Sequence, residues 1–133
     1  MYEVAVTRSL VAQHYLTVPD PGPEGELHSH QFTITATVRG PALNEYAYLV
    51  DIDALADAMT TVADYYREQT LNDLPEFEGT NPSAEYFATV FADRLLEHAA
   101  LETDAISTLR IEIEEDDVAT VAHQRDLSCT LAL

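Results

Sequence analysis

Lysine and tryptophan are absent from this 133-residue chain, cysteine occurs once and glycine four times. Every basic side chain is an arginine: there are six of them against 24 acidic residues, for a formal net charge of -18. Nucleic acid is therefore excluded as a partner, because a phosphate backbone needs a basic patch to neutralise it. The single cysteine, Cys129, has no partner for an intramolecular disulfide, as in a reducing cytoplasm. No apolar run approaches the roughly 20 residues that cross a bilayer. The start, Met1-Tyr2-Glu3-Val4, lacks the basic-then-apolar pattern of a secretory leader. A cytoplasmic protein with no membrane partner is the expectation. The acidic residues are spread along the sequence and form no tail, so the chain reads as one folded domain, 1–133, and not as a disordered segment. So charged a domain repels itself unless salt screens it, and at molar salt the screening length falls to roughly 3 Å. Lysine-free acidity of this kind reads as adaptation to a salt-filled cytoplasm.

Against these absences stand three histidines. His28-Ser29-His30 is an H-x-H pair, and on an extended segment residues two apart point to the same side. His14 lies in a second strand-like stretch, Leu10 to Leu16. Between them Pro19, Pro21, Pro23, Gly22 and Gly25 turn the chain back, which sets His14 beside His28 and His30 across a strand pair. Three imidazoles with no fourth protein ligand form a zinc site with an open position, the catalytic arrangement.

The rest of the chain reads as follows. Residues 2 to 16 form a first strand with Val4, Val6, Leu10 and Val11 as apolar candidates. Residues 31 to 39 form a second, in which Phe32, Ile34, Ala36 and Val38 alternate with polar residues. A helix begins at Asp51 as N-cap, buries Ile52, Leu55, Ala56, Met59, Val62, Ala63 and Tyr66, and fades near Thr70. A loop covers 71 to 80. A second helix opens with Asn81 as N-cap and Pro82 at its first position, buries Ala84, Phe87, Ala88, Phe91 and Leu95, and ends near Ala100. Residues 107 to 114 and 118 to 126 form two further strands around the turn Glu115-Asp116-Asp117, and 127 to 133 extend the last. The order β-β-α-α-β-β predicts an α+β layer architecture, two helices over one face of a four-stranded antiparallel sheet.

Six stretches in register resemble the 6-pyruvoyltetrahydropterin synthase family, which includes the 6-carboxytetrahydropterin synthases. Val11 to Leu16 resembles the stretch around the family's first zinc histidine, and Leu27 to Phe32 resembles its "LHGH-x-Y/F", with Ser29 in place of glycine. Leu49-Val50-Asp51-Ile52 is similar to "MV-x-DF", Leu71-Asn72 to "LN", Asn81 to Glu85 to "NPT-x-E", and Ile113 to Asp116 to the segment carrying the pterin-anchoring glutamate, which falls on Glu115. The resemblance implies the tunnelling fold, trimers whose strands close a barrel and stack as hexamers, active sites between subunits, zinc on His14, His28 and His30, and a reduced pterin as ligand.

Departures from the pattern concentrate in the catalytic positions. The family's cysteine, four residues before H-x-H, is Glu24 here, and its Asp-His relay before "LN" falls on Arg67 and Glu68. A glutamate tuned toward working pH serves as a general base, and one branch of the family uses glutamate in that place to cleave the dihydroneopterin side chain. Glu24 is therefore a candidate base for aldolase-like cleavage; one more solvated acid is the alternative. Glu68 is a candidate substitute for the relay, or the solvated end of a helix. Arg67 is a candidate for holding a substrate phosphate or carboxylate, though so few cations make a triphosphate hard to bind. His123 reads as structural or as a pocket residue, and His98 as a favourable charge at a helix C-terminus. The expected function is a zinc-dependent lyase acting on the side chain of a 7,8-dihydroneopterin-type pterin. The alternative is a silent paralogue that binds zinc and a pterin-like ligand without turnover.

Overall fold

The computed structural model describes residues 1–101 and 105–127. Four strands, β1 (Tyr2–His14), β2 (His28–Gly40), β3 (Thr108–Glu115) and β4 (Ala119–Asp126), form one antiparallel sheet in the order β1-β2-β3-β4. Two helices, α1 (Ile52–Tyr66) and α2 (Ala84–His98), pack against one face. The expected α+β order is thus observed. The extension expected for 127 to 133 lies, from Ser128 and including Cys129, outside the described residues.

The face that meets the helices is set by parity. On β2 the even residues Phe32, Ile34, Ala36 and Val38 are fully buried, and on β3 the odd residues Leu109, Ile111 and Ile113 are their counterparts. The register pairs Ile34 with Ile113 and Ala36 with Ile111, so both rows face the same core. On β1 the buried row is Val6, Leu10, Ala12 and His14. Val11, expected among the apolar candidates, falls on the opposite face and is exposed. Phe32, Tyr66, Phe77, Phe87 and Phe91 form the aromatic centre of the core, ring against ring.

Both helices are capped, one of them not as expected. Asp51 accepts from the Ala54 N–H, the predicted N-cap of α1. Ile52 nevertheless faces solvent, because the buried stripe runs through Leu55, Ala58, Met59, Val62, Ala63 and Tyr66. The helix stops at Tyr66, earlier than Thr70, because Glu68 adopts φ +62° and the chain turns to hydrogen-bond with β1: Glu68 N–H to Val11 O at 2.7 Å and Gln13 N–H to Gln69 O at 2.9 Å. For α2 the N-cap is Ser83, which accepts from Tyr86 N–H, and not Asn81. Asn81 is engaged elsewhere, its Oδ1 accepting from the Thr17 N–H at 2.8 Å.

Candidate metal centre and active-site cavity

His14 ends β1 and His28 begins β2, and the register sets them directly opposite one another, with Ala12 opposite His30. Cross-strand partners share a face, and residues two apart on one strand share it too. All three imidazoles therefore emerge on the helix side, at the end of the row that continues into Phe32. Their ring centroids lie 4.7 to 5.0 Å apart. His14 is buried, and His28 and His30 are half-buried. One ligand atom from each comes within 4.8 Å of the others.

Hydrogen bonds fix which nitrogen faces inward. His14 Nδ1 donates to Pro82 O at 2.8 Å and His28 Nδ1 to Glu26 O at 2.7 Å. A carbonyl can only accept, so the hydrogen resides on Nδ1 in both. His30 Nδ1 donates to the Asp116 carboxylate. The three Nε2 atoms are buried and have no hydrogen-bond partner. Three inward nitrogens, each held by an outer bond from its ring partner, match the donor set and supporting shell of a metal centre. Burial holds the His14 imidazole below the ordinary histidine range, with His28 and His30 adding to that effect against the Pro82 bond. A neutral, ligating form is thereby favoured.

The segments around the histidines are tied down by side chains from the loop between the helices. Asn72 donates to Tyr15 O at 2.9 Å and accepts from Tyr15 N–H at 3.0 Å, and Asn81 holds Thr17. The Leu16 N–H donates to Glu24 O at 2.8 Å, which brings the 3₁₀ turn Gly22–Gly25 back to the end of β1. Between β3 and β4, Asp116 and Asp117 both take the left-handed conformation, at φ +52° and +65°, and Val118 N–H donates to Glu115 O. Two successive positive-φ residues make the tight hairpin that suits strand twist, and they turn the Asp116 side chain back onto His30 and Gln31.

A cavity of about 320 Å³ opens beside the histidines, lined by His14, Leu16, Glu24, Ser83, Glu85, Glu115 and Val121 among others. Its size is at the small-molecule end of ligand pockets. Larger depressions lie around residues 41–53, at the opposite end of the sheet, and hold no histidine. The structure thus brings Glu24 and Glu115 into one cavity with His14. Glu115 Oε1 stands 3.5 Å from His30 Nε2. Burial, with Asp116 and Glu24 nearby, raises the Glu115 carboxyl above the usual carboxylate range despite the opposing pull of His30.

The remaining candidates lie elsewhere. Glu68 is exposed at the end of α1 and does not line this cavity. Arg67 donates to Ser9 O at 3.0 Å and pairs with Asp64. His123 Nε2 accepts from Arg125 of its own strand, and it is Arg125 that joins β4 to α2 by pairing with Asp93. His98 is the last residue of α2. Sequence reading missed Asp116, treated only as a turn residue, and the Pro82 carbonyl; Asn81 and Ser83 were visible only through their motif.

Residues 3–126 match the family described as 6-pyruvoyl tetrahydropterin synthase. The chain belongs to this family. Among solved structures it is similar to the 6-pyruvoyl tetrahydropterin synthase of Plasmodium vivax, at 15% identity and a TM-score of 0.80, over 94% of this chain and 98% of that one. The enzyme of Caenorhabditis elegans shares 20% identity and a TM-score of 0.78, over 94% and 97%. A third structure, at 14% identity and a TM-score of 0.78 over 94% and 98%, is a Plasmodium vivax variant in which a catalytic glutamate is replaced by alanine. At these identities the likeness establishes the fold, the tunnelling fold of the family. No protein of curated function matches the chain by sequence. Family and fold together support a pterin-processing lyase with a histidine cluster fit for a metal.

Proposed function

We propose that this chain is a zinc-dependent lyase that cleaves the side chain of a 7,8-dihydroneopterin-type substrate, with His14, His28 and His30 as metal ligands, Glu115 as pterin anchor and Glu24 as base. The observation that carries the reading is the convergence of three partnerless Nε2 atoms beside a cavity that also receives Glu24 and Glu115. Bound zinc would supply a Lewis acid that lowers the pKa of a side-chain hydroxyl.

The protein residues do the rest. A carboxylate at Glu115 accepts two N–H bonds from an amino-pyrimidine edge. Glu24 takes the hydroxyl proton from the second side-chain carbon. The bond between the first and second carbons breaks, a carbonyl forms on the departing fragment, and the electron pair passes into the ring system. A proton then returns to the first carbon. The Plasmodium vivax protein, with its catalytic glutamate, offers a precedent for the residue type.

Glu68 has no role within the cavity of its own subunit. It reaches a site only in an assembly where the end of α1 meets a neighbouring chain, and β1 and β4, the two edges of the sheet, are the strands through which a homotrimer or hexamer would close. The single domain, a cytoplasmic location and adaptation to high salt belong to the same reading. The test is to offer dihydroneopterin to zinc-loaded protein in molar KCl and identify products by mass spectrometry. Release of 6-hydroxymethyl-dihydropterin supports it. A pyruvoyl or carboxy product would replace cleavage by the family's usual chemistry, and no product would contradict catalysis.

A further inference from the structure

At the end of the sheet away from the histidines, a cavity of about 450 Å³ opens where the chain leaves β2 and enters β3. Pro41, Leu43, Leu49, Val50, Ala100 and Ile106 give it an apolar lining. Its polar side chains are committed to the local backbone. Asp51 caps α1 through the Ala54 N–H, and Asn44 Oδ1 accepts the Tyr46 and Tyr48 N–H groups. Among the described residues no other ionisable side chain lines it. Such a lining suits an apolar occupant. A neighbour that pairs with the sheet does so at its edges, β1 and β4, whereas this cavity lies at the ends of the two inner strands.

An uncharged stretch of the same chain follows close by. Ser128, Cys129, Thr130, Leu131, Ala132 and Leu133 carry no charged side chain, in a sequence with 24 acidic residues and six arginines. They follow Leu127, whose N–H donates to Ser107 O at 2.9 Å. Ile106, next to Ser107, lines the cavity. Parity gives the side. Val121, His123 and Arg125 of β4 pair with Ile113, Ile111 and Leu109, whose side chains are buried under the helices. The odd residues of β4 therefore face the helix side, and Leu127 follows the rule by packing against the core. The same alternation, carried on, sets Cys129, Leu131 and Leu133 on that side. Extended chain of this length reaches up to roughly 20 Å, enough to cross from β4 to the cavity.

We infer that residues 128–133 occupy the cavity of their own chain, with Cys129, Leu131 and Leu133 turned into it, and close the core at the end opposite the histidines. The inference is independent of the pterin reading.

Cys129 is the one cysteine of the chain, so its reactivity reports on the contact. A chromogenic disulfide reagent is reacted with the full chain in molar KCl, and again with the chain unfolded in denaturant. The expected native rate is at least about 100-fold lower, because a docked thiol reacts only when the contact opens. Leu131→Asp in the segment and Leu43→Asp in the lining each put a charge into an apolar contact, and each should speed native labelling at least about tenfold. Leu43 lies in a loop and is exposed, so the far-ultraviolet circular dichroism should not change. Native labelling as fast as in the unfolded chain would overturn the inference. Protection lifted by Leu131→Asp but not by Leu43→Asp would place the segment elsewhere, such as along a neighbour's sheet edge, and would overturn it too. Protection lost on dilution, in step with dissociation seen by light scattering, would assign the cavity to a second copy instead.

Discussion

His30 and Asp116 are joined across the sheet: the imidazole Nδ1–H donates to one carboxylate oxygen, while the other oxygen accepts the Gln31 backbone N–H at 2.7 Å. The His30 bond, with the Gln31 bond beside it, holds the Asp116 carboxyl below the ordinary carboxylate range. Both bonds orient the ring so that Nε2 faces His14 and His28.

Removing that support should weaken metal binding. Asp116→Ala is expected to lower zinc affinity about 10–100-fold, the usual cost of losing a ligand's outer partner. Competition against a chromophoric chelator measures it. Unchanged affinity would mean that the Asp116 bond does not orient the ligand.

Zinc should also compete with protons. The metal needs neutral imidazoles, so affinity is expected to fall as pH drops below about 6.5. In metal-free protein the sign for His14 is set by its lowered folded pKa. Its contribution to stability is present above the unfolded value of 6.5 and is lost as pH falls through the lower folded value. Melting curves of chelated protein over that range, with His14→Gln as control, should show the difference.

A structural carboxylate governs the acid limb. Glu76 accepts from Tyr65, Tyr66 and Arg94, and its backbone oxygen accepts from Tyr86 at 2.9 Å. Burial opposes its ionisation, but its own backbone N–H, the two tyrosines and Arg94 outweigh that and hold it below the carboxylate range. The stability it contributes is therefore present above the unfolded value of 4.5 and lost as pH falls through the lower folded value. Glu76→Ala leaves the buried Tyr66 hydroxyl without its acceptor and should cost about 1–3 kcal/mol near neutral pH, less in acid. Denaturant titrations at both pH values check this.

At the far end of the sheet, Gly40 admits no side chain. A Cβ there would lie 2.2 Å from Ala105 O and 2.7 Å from Leu49 Cδ1. Gly40→Ala is expected to destabilise by about 1–3 kcal/mol, as overpacking does, without changing zinc affinity. Loss of zinc binding in a folded variant would show unexpected coupling between the two ends.

The sheet was legible because its strands alternate cleanly: Phe32 to Val38 and Leu109 to Ile113 each state their buried face in the sequence. H-x-H on such a strand left little freedom, and parity carried His14 to the same side. What escaped depended on competition between partners distant in sequence. Asn81-Pro82 is a strong helix start, yet Thr17 takes the Asn81 oxygen and His14 takes the Pro82 carbonyl, so Ser83 becomes the cap. Asp116 looked like turn chemistry because its role depends on two left-handed residues folding it over His30. Val11 and Ile52 were assigned from apolarity, where strand parity and the helix stripe decide otherwise.

The most direct test of the account compares Glu24→Ala with the unaltered chain, both loaded with zinc and confirmed equal in metal content. The account predicts that dihydroneopterin side-chain cleavage falls by about 10²–10⁴-fold, the scale of a lost general base, while zinc is retained. Cleavage at an unchanged rate, or no cleavage by either protein, would contradict it.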